Sequence, residues 1–200
     1  MKTLTNHTLS KTVVMICALL FASCAETKKE DAALAEKEVP MVEMASDEYS
    51  DIVLKTLGHL ANYEHDAYAE YMADDMMWYW PDGSSETRHS INGKDELVAW
   101  WKNYQETTGA TLNFSNNTFL PLKINSPSNY YKVVGSGVLA YTDLTLAIGD
   151  KSTSVRQHMV YMFNDNMKIS HCFLYYDRAG IIELTKSALG TPVILGETDE

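Results

Sequence analysis

From Ser46 onward the apolar residues fall into two regimes. Tyr49, Ile52, Val53, Leu57 and Leu60 recur at the spacing of an amphipathic helix, behind Asp47 and Glu48, which suit a helix first turn. A second helical stretch, Asp66 to Ala73, places Tyr68, Tyr71 and Met72 on one side. It leads through Asp74-Asp75 into Met76-Met77-Trp78-Tyr79-Trp80, an aromatic run that reads as a strand stopped by Pro81-Asp82-Gly83. Asn92-Gly93 opens a third helix, Lys94 to Thr107. Leu97, Trp101 and Tyr104 share one face of it, Trp100 is expected to face elsewhere, and Gly109 closes it. Past Gly109 the period becomes two. Segments near 111–122, 130–146, 152–163 and 168–177 are rich in Val, Thr, Tyr and Phe and are separated by turn residues, which predicts four adjacent antiparallel strands. Residues 180–188 form a last short helix before Gly190. Helices segregated to one side of a curled antiparallel sheet give an α+β class and leave a cone between the layers.

The first 45 residues follow neither period. Lys2 and Lys11 precede an uncharged run from Thr12 to Ala22, a secretory signal too short for a stable spanning helix. Its end, Phe21-Ala22-Ser23-Cys24, resembles the lipobox of bacterial lipoproteins, with Phe21 in place of the usual Leu. Residues 1–23 are therefore read as a lipoprotein signal peptide and 24–45 as a charged tether after lipidated Cys24. Residues 46–190 form the domain and 191–200 an acidic tail. As a flexible coil, a tether of about 20 residues reaches roughly 25 Å, and several acyl chains anchor firmly. Ala25 after the cysteine points, by resemblance to proteobacterial sorting, to the outer membrane. The expected location is the bacterial cell envelope, facing the periplasm.

Composition narrows the chemistry. With 27 acidic and 16 basic residues the formal charge is −11, and it becomes −13 once Lys2 and Lys11 leave with the signal. No basic stripe offsets this, so nucleic acid is excluded as a partner. Cys17 leaves with the signal and Cys24 carries lipid, which leaves Cys172 without a disulfide partner. The six histidines show no metal-ligand spacing, and neither a phosphate-cradling glycine loop nor a nucleophile elbow is present. Gly135-Ser136-Gly137 lies within a predicted strand, where small residues permit a bend. No metal and no cofactor are expected.

Several motifs carry a family resemblance. Asn62 to Trp80, ending Met72-Ala73-Asp74-Asp75-Met76-Met77-Trp78, resembles the nuclear-transport-factor-2-like superfamily, in particular its SnoaL-like branch. Ile91-Asn92-Gly93-Lys94-Asp95-Glu96-Leu97 resembles that family's third helix. Phe163-Asn164-Asp165-Asn166-Met167-Lys168-Ile169 and Tyr175-Tyr176-Asp177 resemble its last hairpin and terminal aromatic-Asp, with Met167 where the family usually has Gly. The resemblance spans about residues 47–188. It implies a cone-shaped curled sheet over about three helices, often a homodimer through its sheet, with a mostly apolar cavity. Relatives include cofactor-free cyclases, isomerases, dehydratases and epoxide hydrolases, as well as non-catalytic ligand-binding and assembly modules.

The last hairpin decides which side chains look inward. A three-residue loop, 164–166 or 165–167, makes facing positions sum to an even number and groups Arg156, His158, Val160, Met162, Cys172, Leu174 and Tyr176 on one face. A two-residue loop breaks that grouping and brings His158 across from the His171 set. The family resemblance makes the even face the cavity side and the odd face the dimer surface. It also places Leu174 about where SnoaL-like cyclases carry an acid, so a general base is missing there. His158 is then the remaining acid/base, held neutral beside Arg156, although a lone strand histidine is more often a hydrogen-bonded rim or core residue. Asp82 and Asp177 are further bases in ordinary turn and capping positions. Trp78, Trp80, Trp101, Tyr104, Tyr71 and Tyr141 are the expected pocket walls, with Leu174 and Tyr176. The expected function is a membrane-anchored domain binding a small, largely apolar molecule, as a homodimer. The alternatives are a cofactor-independent isomerase, dehydratase or cyclase using His158, and a non-catalytic assembly module with a filled cavity.

Overall fold

A computed structural model describes residues 39–84, 86–127 and 133–193. The signal peptide, Cys24, tether residues 25–38 and tail residues 194–200 lie outside the described residues. Pro40 onward belongs to one compact unit.

Helix α1, Glu48–Ala61, buries Val53, Thr56, Leu57 and Leu60, one stripe of the heptad-like spacing, and carries Glu48 and Asp51 in its first turn, where the helix dipole favours acids. The short α2, His65–Ala69, follows a turn in which Tyr63 takes a positive φ of 55° and donates its phenol to the Ala110 carbonyl. Strand β2, Met72–Tyr79, starts earlier than the aromatic run suggested: Met72 already pairs with Ile169, so α2 stops at Ala69 and does not reach Ala73. A three-residue strand β3, Ser90–Asn92, returns beside it before α3, Lys94–Thr108. Leu97, Trp101, Tyr104 and Thr108 are the buried face of α3, and Gly109 ends it in the left-handed conformation with its N–H on the Gln105 carbonyl.

Three long strands then run back and forth: β4, Thr111–Ile124; β5, Gly135–Ile148; and β6, Lys151–Phe163. Strand β7, Ile169–Tyr175, and helix α4, Ala179–Leu189, complete the order. With β1, Val42–Met44, the sheet has seven strands in the order β1-β4-β5-β6-β7-β2-β3, antiparallel except where β2 lies parallel to β7. Val42–Met44, read above as the end of the tether, is an edge strand held by its ladder to β4 and by Asn125, which donates to the carbonyls of Met41 and Pro40. The β5 glycine at 137 allows close strand approach, since a Cβ there would sit 2.6 Å from the Tyr161 carbonyl oxygen.

The β6–β7 turn sets the faces of the sheet. Asn164 accepts from the N–H groups of Asn166 and Lys168, and Met167 adopts φ 57°, the conformation the family's glycine would supply. Phe163 pairs with Ile169 across it, an even sum as a three-residue loop requires. One residue later the register slips. Ser170 has no opposite number, its hydroxyl donates to the Met162 carbonyl at 3.2 Å, and beyond it Met162 faces His171, Tyr161 faces Cys172 and His158 faces Tyr175. A one-residue bulge exchanges the faces of everything after it. The grouping of Arg156 and His158 with Cys172, Leu174 and Tyr176 is therefore overturned, although the loop length behind it is as expected.

Candidate functional site

On the concave side the sheet presents Val138, Ala140, Leu144 and Leu146 from β5, Gln157, Met159 and Tyr161 from β6, and Cys172 and Leu174 from β7. Trp78 of β2 and Trp80, just past its end, join the same cluster, and Leu57 and Leu60 of α1 with Trp101 and Tyr104 of α3 close it. All four tryptophans of the chain meet here. Ring centroids are 5.7 Å apart for Trp78 and Trp80, 6.2 Å for Trp78 and Trp101, and 4.7 Å for Trp80 and Trp100. The expectation that Trp100 faces elsewhere is corrected: it packs on Trp80 and Trp101 and stacks on Tyr104 at 5.3 Å.

Between these groups lies a slot lined by Leu57, Leu60 and Trp101 from the helices and by Trp78, Trp80, Phe114, Leu144, Gln157, Met159, Tyr161, Leu174 and Tyr176 from the sheet strands and their ends. Its volume is about 20 Å³, room for one water molecule. No lining side chain carries a formal charge at neutral pH. Burial pushes the phenols of Tyr104, Tyr161 and Tyr176 up, so all three stay protonated. The indole nitrogens of Trp78, Trp80 and Trp101, the amide oxygen of Gln157 and the Tyr176 hydroxyl are buried with no hydrogen-bond partner in the protein. Such groups each cost on the order of 1–3 kcal/mol and are uncommon in native interiors.

Two charges act on the slot-lining Tyr176. Arg178 donates to Asp82 at 2.7 Å, and both side chains are about one-quarter exposed, at 23%. After burial, these two charges are the next influences on Tyr176, Arg178 lowering and Asp82 raising its pKa. Asp82 is thus placed beside the slot, whereas Asp177 caps α4 by accepting from the Ala179 N–H.

His158 is elsewhere. It sits on the convex face, its ring 4.5 Å from that of Tyr141 and 5.6 Å from that of Tyr175. Burial lowers its pKa, partly offset by the Ala140 main chain. Arg156, the neighbour expected to keep it neutral, donates to Asp143 at 2.8 Å and points into solvent. Tyr141 shares this convex face, and Tyr71 stacks on His59 at 5.6 Å. Among the sequence-derived site residues, the structure brings Trp78, Trp80, Trp101, Leu174 and Tyr176 together around the slot, with Tyr104 behind them. It separates Arg156, His158, Tyr141 and Tyr71 from them. Gln157 and Met159 were assigned to the opposite face by the parity argument, and only the bulge at Ser170 reveals their position.

The convex face has its own order. Arg88, from the segment after β2, donates to the carbonyls of Trp80 and Leu174 and to the Tyr175 hydroxyl, at 2.8, 2.8 and 2.9 Å, and lies over the Tyr175 ring. Tyr79, Phe173 and His171 stack nearly parallel beside it. Among the described residues, no three His, Cys, Asp or Glu side chains converge as a metal ion would need.

No family model matches the chain, and no curated protein does. Solved structures do. An LEH-like epoxide hydrolase of M. tuberculosis superposes with a TM-score of 0.53 at 17% identity, over 72% of this chain and 94% of that one. A Xanthomonas campestris protein described as a polyketide cyclase gives 0.51 at 10% identity, over 68% and 95%. An NTF2-like protein of Burkholderia xenovorans gives 0.50 at 14%, over 72% and 99%. At such identities the likeness speaks for architecture alone. The chain has the nuclear-transport-factor-2-like α+β fold, a curled mixed sheet closed by helices over an aromatic interior.

Proposed function

We propose that the domain binds a small, largely apolar molecule in the tryptophan-walled slot, held at the cell envelope by a lipid on Cys24 and paired with a second copy through the convex face. One observation carries the reading: four of the residues that line the apolar slot, Trp78, Trp80, Gln157 and Tyr176, bury hydrogen-bonding atoms that have no partner in the protein. An interior built only for packing gains nothing from such atoms, whereas a ligand site uses a few polar groups in an apolar wall to orient its guest. The volume of about 20 Å³ on its own suits a filled cone, so entry requires the indoles to move apart.

Native mass spectrometry of the periplasmically expressed, tag-free protein tests the reading. A co-purifying small molecule that disappears in Trp80→Ala is the expected result. A bare mass, with a single water in a high-resolution crystal structure of the same preparation, favours the assembly module. Palmitate labelling lost in Cys24→Ala tests the anchor, and light scattering tests the pair.

A second reading has its own observation. The Asp82–Arg178 pair beside protonated Tyr176 gives the slot an ionised rim and a neutral phenol at one end. This is where proton transfer would occur if the domain is a cofactor-free isomerase, dehydratase or cyclase, in place of His158. Turnover of an epoxide or enolisable ketone, abolished in Asp82→Asn with ligand binding retained, would establish it.

A further inference from the structure

We infer that the slot is matched to an uncharged, plate-shaped ring molecule that offers hydrogen-bond acceptors to Trp78 and Trp80 and a donor to Gln157; the inference rests on the ligand-binding reading above. Charge is decided first. Every lining residue is neutral, the charges that act on Tyr176, Asp82 and Arg178, pair with one another, and an ion carried inside would be uncompensated. A carboxylate or ammonium ligand is therefore excluded from the interior.

Shape follows from the walls. Three indoles stand at steep angles to one another, 69° between Trp78 and Trp80 and 89° between Trp78 and Trp101. Leu57, Leu60 and Met159 complete the surround. A void this narrow widens by side-chain rotation into a cleft between faces, which a flat ring fills and a bulky three-dimensional hydrocarbon does not.

Polarity is decided by which atoms lack partners. An indole nitrogen only donates, so Trp78, Trp80 and Trp101, at 2%, 1% and 5% exposure, all require acceptors, and one carbonyl oxygen can serve two of them. The Gln157 amide oxygen only accepts, so at 4% exposure it requires a donor. Tyr176 serves either role. A cyclic amide, whose carbonyl and N–H lie side by side in one ring plane, answers these demands with the fewest atoms.

The test is calorimetric titration of the whole chain in mild detergent with five probes: 2-pyridone, 2-quinolone, N-methyl-2-quinolone, naphthalene and 2-naphthoate. The expected order places 2-quinolone about tenfold or more above both naphthalene and N-methyl-2-quinolone, the scale of one lost buried hydrogen bond, with no saturation by 2-naphthoate. Gln157→Leu should erase the preference for 2-quinolone over its N-methyl form while leaving naphthalene affinity within about twofold. Equal affinity for naphthalene and 2-quinolone, or tighter binding of 2-naphthoate, overturns the inference and leaves the ligand-binding reading standing. No binding of either 2-pyridone or 2-quinolone up to their solubility limits overturns the inference. If the native mass is also bare, the ligand-binding reading falls with it.

Discussion

The two faces of the sheet use aromatic residues in opposite ways. On the concave face three tryptophans and two tyrosines line a chargeless slot, and several of their polar atoms lack partners. On the convex face the aromatic rings form ladders with histidines and arginine. Tyr141, His158 and Tyr175 stack in one row, and Arg88 lies over the end of it while fastening three acceptors. The concave side gathers several unpartnered donors and acceptors around one slot, whereas the convex side, His158 Nδ1 excepted, ties its polar groups to the chain through Arg88. Unpartnered groups clustered in a dry cavity mark where a guest belongs, and paired ones mark where the chain holds itself together. Gln157 and His158 are adjacent in sequence and fall on opposite faces of the sheet.

The contrast can be broken most severely at its origin. Inserting one alanine between His171 and Cys172 shifts the β7 register by one, so Cys172 and Leu174 turn outward and Phe173 inward; the expected outcome is loss of the cooperative unfolding transition in circular dichroism. Trp78→Ala, on the concave face, should cost about 3–5 kcal/mol in urea unfolding, the usual range for a buried tryptophan. Arg88→Met should cost about 2 kcal/mol by the same measurement, because three acceptors lose a charged donor, and Arg88→Lys should recover only part of it since an ammonium cannot reproduce the fork. Gln157→Leu should leave stability unchanged or raise it, by up to about 1 kcal/mol, while lowering 2-quinolone affinity about tenfold. A clear destabilisation there would mean that the amide already has its partner and that the face-to-face contrast is wrong.

Acid should act on the convex face alone. Burial depresses the pKa of His158 and of His171, the latter partly countered by Asp75. A base whose folded pKa lies below its unfolded value near 6.5 binds protons more readily when unfolded. Stability is then full above about pH 7 and declines as the pH falls through 6.5 towards the folded values. Unfolding midpoints between pH 7.5 and 5.5 should show that decline, and His158→Phe should reduce it. A slope unaffected by that substitution would assign the effect to other groups.

Much of the architecture was legible from periodicity. The stripe through Val53, Leu57 and Leu60, the α3 face through Leu97, Trp101 and Tyr104, and the four-strand succession after Gly109 all follow from local spacing. What sequence did not reveal is non-local. Ser90–Asn92 is three residues long and exists because β2 offers an edge. Val42–Met44 is exposed along its whole length, and without a buried face it has no period to read. The Ser170 bulge is a serine among β-formers, indistinguishable from a paired residue until both strands are laid side by side, yet it moved His158 and Arg156 out of the site and Gln157 and Met159 into it.

The gathering of every indole into one cluster gives the protein a built-in optical probe. Trp78, Trp80, Trp100 and Trp101 are within energy-transfer and exciton-coupling distance of one another, so fluorescence excited selectively at tryptophan reports on that single locale. Any event that pries the indoles apart should be visible without a label, and events confined to the opposite surface should leave the indole emission unchanged.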